Sequence, residues 1–410
     1  MALLFNMKYL VETSTPEARE ELKKVGCLIG TPKTLSSFLI VDSGQPKNYL
    51  EQIDGVLKVE PDDYNEQFWA LPYISGEDHE EFNPTRTGKN VDIYIMDSGV
   101  YSDHLDLDDR VETIYSYDGE EYERTCGHGT GSASCAAGQL FGVARESNIF
   151  NVRYNLNRSD GIKALDNILD HHLNKDNNNP SILNMSFGSP SRIISDALYE
   201  AYKHGIICVA AAGNDDSPRR NYPASNPFVI SVMANNRRDK PSQFTNYSDR
   251  NDIFAPGTQV KMAGARRNRE VVKQSGTSFA APLTAGVLAL IVEGSIIQSS
   301  EGVDKTKELL LNQAWSDYLD LEGKYEGLPN LVSNCHVNNE PIQDKHIYQV
   351  KVQGPVETKT IKEAEKGQCI RFKFYRNVEL KSDNNPGGTW VNDNIFKTNP
   401  IDRDCEYVFE

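Results

Sequence analysis

The stretch that most constrains the fold is a long apolar run, Phe279–Val292, directly after the turn Gly276-Thr277-Ser278. An uninterrupted run of this length predicts a buried helix. Pro282 is compatible with the first helical turn, because a proline there lacks only an N–H that has no partner in the helix. Ser278 then lies at the helix N-terminus, where unpaired N–H groups and the helix dipole favour negative charge. An isolated serine at such a position is usually a helix cap, so a functional role needs support from other segments.

A second segment, Asn90–Val100, predicts a buried strand that ends in a carboxylate. Residues 91–96 supply the apolar part of the strand, and Asp97-Ser98-Gly99 ends it. The C-terminal edge of a parallel strand faces the crevice in which α/β sheets hold their ligands. Asp97 is therefore a candidate functional residue.

A third segment, Cys126–Ser134, places a histidine between two glycines at the start of a helix of small residues. Asp97, His128 and Ser278 then follow one another in one of the three chain orders in which Asp-His-Ser triads occur. His104 is a rival candidate for the histidine, although it lies close to Asp97 in the sequence.

These motifs resemble the subtilisin superfamily of serine proteases, and within it the proteinase K branch. Residues 221–224 and 252–257 agree with further landmarks of that family. The resemblance implies an α/β fold, in which a subtilisin-like core over residues 65–338 has a mostly parallel central sheet flanked by helices. It also implies a serine endopeptidase that hydrolyses the peptide bonds of polypeptide substrates and needs no cofactor for its chemistry.

The same resemblance implies the residues of the active site. They are the triad Asp97, His128 and Ser278, the oxyanion donor Asn214, and two substrate-binding segments, Ser186, Phe187, Gly188 and Ala211, Ala212, Gly213. The amide of Asn214 and the N–H of Ser278 would bind the oxyanion, and the two segments would pair with an extended substrate. Taken alone, residues 186–188 are equally well explained as the end of a core strand, and Gly213-Asn214 as a turn.

The parts of the chain on either side of the core predict two smaller units. Residues 1–64 predict a small α+β unit, an arrangement that is functionally neutral by itself. Ahead of a subtilisin-like core it resembles the inhibitory propeptide of the family, which implies a self-processing zymogen that is cleaved between Asp62 and Phe68. Residues 339–410 alternate apolar and polar positions and predict a β-rich appendage, for which we find no family resemblance.

The amino-acid composition limits which binding partners and which cellular compartment we expect for this protein. A net charge of −16 and a pI near 5.1 argue against nucleic-acid binding, and no membrane span or secretion signal is recognisable. The seven cysteines are an odd number without a Cys-x-x-Cys spacing, which disfavours a structural zinc site and a full disulfide framework. We therefore expect reduced thiols and an intracellular enzyme, or one encoded by a virus or phage, in preference to a secreted one.

Three alternatives remain open from the sequence. The acid-rich run Asp106–Glu123 is a candidate for structural calcium, but it lacks the regular spacing of an EF-hand loop and is also explained as a solvated loop. An inactive subtilisin fold that serves as a binding scaffold is a second class of function. A cysteine hydrolase based on Cys126 or Cys135 is a third, and no motif supports it.

Overall fold

The computed structural model describes most of the chain, in separate ranges. These are residues 7–30, 38–43, 50, 52–61, 69–76, 82, 84–122, 127–155, 157–189, 194–344, 347–353, 360–365, 371–373, 388–392, 395–398 and 405–408. The predicted cleavage segment between Asp62 and Phe68 lies outside the described residues, as does Cys126.

The N-terminal unit is a four-stranded antiparallel sheet with a helix. Its elements are β1 (Met7–Thr13), α1 (Pro16–Val25), β2 (Gly26–Gly30), β3 (Phe38–Ser43) and β4 (Val56–Pro61). The strands lie in the order β2-β3-β1-β4, and neighbours are antiparallel. Its apolar core contains Val11, Leu22, Leu50 and Val59. This part of the chain therefore has the predicted α+β structure, and the domain boundary at residue 64 stays a prediction.

The largest element is a nine-stranded sheet. From one edge to the other its strands are β15 (Trp315–Ser316), β16 (Leu331–Val332), β11 (Ile253–Pro256), β10 (Val229–Asn235), β9 (Ile206–Ala211), β8 (Ser181–Met185), β5 (Asp92–Asp97), β7 (Asn148–Arg153) and β6 (Val111–Ser116). All neighbouring pairs are parallel except β15 and β16. The predicted mostly parallel central sheet is confirmed.

Along the chain, helices alternate with the strands of this sheet. They are α2 (Ala70–Ser75), α3 (His128–Ala137), α4 (Arg158–Asn174), α5 (Ser195–Lys203), α6 (Thr277–Val292) and α7 (Ser300–Gln313), with short 3₁₀ helices at Leu105–Leu107 and Gly323–Tyr325. None of the helices within the described ranges has both the length and the apolarity that a membrane crossing requires.

Helix α6 is buried at every one of its positions. It packs on strands β8 to β11 of the sheet and on helix α3, so it lies between the sheet and a second helix. The predicted buried helix over 279–292 is confirmed, and the structure extends it back to Thr277. Its first turn therefore contains Ser278, next to the carboxyl ends of the parallel strands.

A buried polar cluster holds the opposite end of β5. The Asp92 carboxylate is fully buried and lies 2.7 Å from the ammonium group of Lys175. The side-chain amides of Asn148 and Asn179 donate to the same carboxylate at 2.8 and 3.0 Å, and Lys175 also donates to Ser181. A buried charge needs such partners, and here they join β5 to β7, to β8 and to the chain after α4.

The remaining strands form smaller sheets. A hairpin consists of β12 (Val260–Ala263) and β13 (Val271–Gln274), and β14 (Ile296–Ile297) pairs with β17 (Gln343–Asp344). Beyond residue 344 the described strands are β18 (Ile347–Gln353), β19 (Thr360–Glu365), β20 (Arg371–Lys373), β21 (Gly388–Asn392), β22 (Ile395–Thr398) and β23 (Cys405–Val408). They form two three-stranded sheets, β19-β18-β23 and β20-β22-β21, which agrees with the predicted β-rich character of this region.

Candidate active site

Asp97 and His128 form a close pair at the carboxyl edge of the sheet. Asp97 ends β5 and His128 begins α3, and the imidazole Nδ1 lies 2.8 Å from Oδ1 and 3.0 Å from Oδ2 of the carboxylate. Gly129 allows this approach, because a Cβ at that position would lie 2.4 Å from the Gly99 carbonyl oxygen. The carboxylate also accepts from the Ser98 N–H and from the Ser132 hydroxyl.

The two groups change each other's proton affinity. Burial by itself raises the pKa of the Asp97 carboxyl, but the charge of His128 and hydrogen bonds from His128, Ser98 and Ser132 outweigh burial and lower this pKa overall. The Asp97 charge in turn raises the pKa of His128 above its ordinary value of 6.5, against the opposite effect of burial. Asp97 is 5% exposed and His128 32% exposed, so the pair is shielded on one side and open on the other.

Ser278 lies in the first turn of α6 and is bonded to Ser186 in both directions. The Ser278 hydroxyl donates to the Ser186 carbonyl oxygen at 3.1 Å, and the Ser186 hydroxyl donates to the Ser278 carbonyl oxygen at 2.7 Å. The ring of Phe279, the next residue, lies 5.4 Å from the His128 ring. Within the described part of the chain, Asp97 is the hydrogen-bond partner of the imidazole, and Nε2 is left open.

The orientation of the Asn214 amide follows from its contacts with Thr277. Asn214 Oδ1 accepts from the Thr277 N–H at 2.8 Å and from the Thr277 hydroxyl at 2.9 Å. A backbone N–H can only donate, so the amide oxygen must face Thr277 and the NH₂ group is the free end. That nitrogen lies 3.5 Å from the position of a Cβ on Gly276, two residues before Ser278.

The two predicted substrate-binding segments extend from neighbouring strands. Ser186, Phe187 and Gly188 follow β8, while Ala211 ends β9 and Ala212 and Gly213 follow it. Gly213 has φ +112°, a conformation that favours glycine, and its N–H donates to the Thr277 hydroxyl at 3.1 Å. Both segments thus reach the start of α6.

Asn221 is a residue at this site to which the sequence analysis gave no role. At Gly213 the nearest group is the Asn246 amide nitrogen, which would lie 2.1 Å from a Cβ. The Asn221 amide nitrogen would lie 2.0 Å from a Cβ on Gly188 and 3.0 Å from a Cβ on Gly213, so Asn221 fills the space at Gly188 and shares the space at Gly213. It donates to the Ala212 carbonyl oxygen at 3.3 Å. The two glycines were a usable signal, because each marks a place where another group approaches the backbone closely.

Comparison with known proteins decides the family. A family model described as the subtilase family matches residues 88–348, which include Asp97, His128, Asn214 and Ser278. The chain belongs to the subtilase family. The predicted resemblance to subtilisin-like serine proteases is thereby confirmed.

Individual subtilases show the extent of the similarity. Alkaline protease 1 of Emericella nidulans is 30% identical over 259 residues, which cover 61% of this chain and 62% of that protein. Proteinase R of Parengyodontium album is 29% identical over 255 residues, 60% of this chain and 64% of that protein. The chain thus matches less than two thirds of the length of these relatives. A crystal structure of a cold-adapted subtilisin-like serine proteinase is 27% identical, with a TM-score of 0.59, and the match covers 67% of this chain and 100% of the other.

The rival histidine of this subtilase has a different position. His104 is buried, its Nδ1 accepts from the Asp106 N–H at 3.1 Å, and its Nε2 lies 2.9 Å from the Glu270 carbonyl oxygen. Since Nδ1 accepts from a backbone N–H, the ring is neutral and Nε2 carries the proton. Burial lowers the pKa of His104, which agrees with this state. The structure therefore places His128, and not His104, on Asp97.

The thiols and acids considered as alternatives have other surroundings. Cys135 is fully buried, and burial raises the pKa of its thiol, which disfavours the reactive thiolate.

In the acid-rich run, the Asp106 carboxylate is buried and accepts from the Ser134 hydroxyl and the Leu140 N–H, and the Asp118 carboxylate pairs with the Arg153 guanidinium group at 2.7 Å. Across the described ranges no group of three or more acidic, histidine or cysteine side chains is placed to hold a metal ion. Calcium binding by this chain stays a prediction.

The Asp97→Asn substitution should lower the pKa of His128, because it removes the charge that raises it. NMR titration of the histidine resonances measures this, and the unmodified protein should show a His128 pKa above 6.5. The stabilisation from this pair is present in full below about pH 6.5 and is lost as the pH rises through the pKa of the folded state. Asp118→Asn is the matched control and should leave the His128 pKa unchanged. A His128 pKa below 6.5 in the unmodified protein would contradict the described geometry.

Proposed function

We propose that this subtilase is a serine endopeptidase that hydrolyses peptide bonds in polypeptide substrates. The observation that carries the proposal is the Asp97–His128 pair, with its open Nε2, at the same edge of the sheet as Ser278. In the proposed reaction the Ser278 hydroxyl turns from Ser186 to His128 Nε2, gives up its proton there and attacks the scissile carbonyl carbon. The resulting imidazolium protonates the leaving amine, and water then hydrolyses the acyl-enzyme by the same route in reverse.

The proposed role of Asp97 is to hold the imidazole and stabilise its charged form. A hydrogen bond to Nδ1 keeps the proton on that nitrogen and leaves the Nε2 lone pair for Ser278. Because the pKa of His128 is raised, the neutral base becomes available only as the pH rises above about 6.5. The proposed activity therefore increases toward alkaline pH.

The proposed oxyanion site consists of the Asn214 NH₂ group and the Ser278 N–H. The two bonds from Thr277 fix the Asn214 amide before the substrate binds, so it does not have to reorganise as negative charge develops. The Ser278 N–H belongs to the first turn of α6, where the helix dipole adds to the same effect. In this proposal, residues 186–188 and 211–213 pair with the substrate backbone, and Asn221 limits the depth of the space between them.

Two substitutions separate an active protease from an inactive scaffold. Ser278→Ala should abolish both peptide hydrolysis and labelling by a fluorophosphonate probe, because the nucleophile is removed. Asn214→Ala should retain labelling but lower kcat by about 100- to 1,000-fold, the range found when one oxyanion donor is lost, including in subtilisin itself. Asn174→Ala, an exposed asparagine at the end of α4, is the control and should retain full kcat. Absence of labelling in the unmodified protein would favour the scaffold, and full turnover in Asn214→Ala would remove that residue from the mechanism.

We also propose that the N-terminal unit is a propeptide that inhibits the enzyme until the enzyme cleaves itself. Two observations support this proposal. The unit forms an antiparallel sheet, and its apolar core consists of its own residues, which is the property of a separate domain.

Self-processing should depend on Ser278. The unmodified protein should be cleaved between Asp62 and Phe68, whereas Ser278→Ala should keep its full length, and N-terminal sequencing of both proteins measures the difference. Adding a trace of active enzyme to Ser278→Ala distinguishes cleavage within one chain from cleavage by a second. A fully active enzyme that retains residues 7–61 would contradict the propeptide proposal.

An intracellular location, or synthesis by a virus or phage inside a cell, is the third part of the proposal. Its support is that Cys135, Cys208 and Cys335 are buried, unpaired thiols. The fungal relatives do not favour this location.

If the protein is made and kept in a reducing compartment, all seven cysteines should be free. Alkylation in denaturant without a reductant, followed by mass spectrometry, counts the free thiols, and the same reaction after reduction gives the total. Three disulfides in the protein isolated from its source would overturn the intracellular assignment without affecting the proposed triad.

A further inference from the structure

The turn that joins β12 to β13, residues 264–270, carries an unusual concentration of positive charge and is called here the arginine loop. Arg266, Arg267 and Arg269 are all exposed. No hydrogen bond or ion pair engages any of these three guanidinium groups among the residues that the structure describes. The loop is thus a positive patch on a chain whose net charge is −16.

The loop contains a single acid, Glu270, and its side chain is folded inward. Glu270 Oε2 accepts from the Arg266 N–H at 2.8 Å. The same oxygen would lie 2.4 Å from a Cβ on Gly264, so the carboxylate covers this glycine. Because Glu270 bonds to the backbone and not to a guanidinium group, the three arginine side chains remain directed to solvent.

The backbone of the arginine loop is held in place from both sides. The buried His104 ring donates from Nε2 to the Glu270 carbonyl oxygen at 2.9 Å, and the Leu105 N–H donates to the Asn268 carbonyl oxygen at 2.8 Å. Across the loop, the Gly264 N–H donates to the Glu270 carbonyl oxygen at 2.7 Å. A loop fixed in this way presents its charges with a smaller loss of backbone entropy when a partner binds.

The arginine loop lies beside the candidate catalytic histidine. A Cβ on Gly127, the residue before His128, would lie 3.1 Å from the Ala265 backbone nitrogen and 3.3 Å from its Cβ. The segments 186–188 and 211–213 instead contact Ser278 and Thr277. The loop therefore flanks His128, whereas the proposed substrate-binding segments flank the serine.

We propose that the arginine loop binds acidic residues in the part of a polypeptide substrate that runs past His128. This inference rests on the proposed endopeptidase function and adds a substrate class to it. The net charge of −16 on the whole chain repels an acidic segment, whereas the loop attracts it, so the loop orients the substrate as it approaches the site. Exposed charges act through solvent, and added salt weakens their effect.

The test uses two peptides that are identical except at three positions. These positions lie on the side of the scissile bond that is expected to pass His128. All three residues are Asp in one peptide and Asn in the other. At low ionic strength the unmodified enzyme should cleave the Asp peptide with a kcat/KM about tenfold higher, within the usual range for electrostatic steering. The preference should fall as salt is added. The triple variant Arg266→Gln, Arg267→Gln, Arg269→Gln should lose the preference and still cleave the Asn peptide normally, which also shows that it folds.

A matched triple variant controls for net charge. Arg158→Gln, Lys163→Gln, Arg250→Gln removes the same number of exposed positive charges away from the arginine loop and should retain the preference. Equal cleavage of the two peptides by the unmodified enzyme, or an unchanged preference in the loop variant, would overturn the inference and leave the proposed function intact.

Hydrolysis of neither peptide would count against the proposed function, and binding then tests the loop separately. Fluorescence anisotropy with the labelled Asp peptide and the Ser278→Ala protein measures affinity without turnover. Affinity should fall about tenfold when the three loop arginines are replaced, in line with the same electrostatic range. Equal affinity with and without the three arginines would reject the loop as a binding surface.

Discussion

The complete burial of α6 is the constraint on which the rest of the structure depends. A helix that is apolar on all sides cannot face solvent anywhere, so the sheet must cover one side and α3 must cover another. This arrangement brings the first turn of α6 to the carboxyl ends of the parallel strands. Ser278, the end of β5 and the start of α3 thus meet because of how one helix is buried, before any chemistry is considered.

Polar contacts at the two ends of β5 show how this core tolerates charge. At one end Asp92 is matched by Lys175 and two asparagine amides. At the other end Asp97 is matched by His128, Ser132 and the Ser98 N–H. The difference between the two ends is exposure. Lys175 is 7% exposed, whereas His128 is 32% exposed and leaves one nitrogen open, so the first cluster is structural and the second is suited to proton transfer.

The two histidines near this edge have opposite pKa shifts because their surroundings differ. The charge of Asp97 raises the pKa of His128, and burial without a close carboxylate on its ring nitrogens lowers the pKa of His104. The neutral His104 ring accepts from one backbone group and donates to another, and it thereby connects the Leu105–Leu107 turn to the arginine loop. In our proposals, one histidine moves the proton in the reaction while the other holds the surface that selects the substrate.

The sequence by itself determined the buried helix, the strand that ends in Asp97, the histidine at the start of α3 and the family, because each depends on local periodicity or on a short motif. Only the tertiary structure decided which histidine pairs with Asp97, how the Asn214 amide is turned and that Asn221 fills the space at Gly188 and shares the space at Gly213 with Asn246. It also decided that Glu270 folds inward, that the loop arginines are exposed and that Ala265 of the same loop lies beside Gly127. These features join residues that are far apart in the chain, and a local pattern contains no information about which distant side chain will fill a given space or accept a given hydrogen bond.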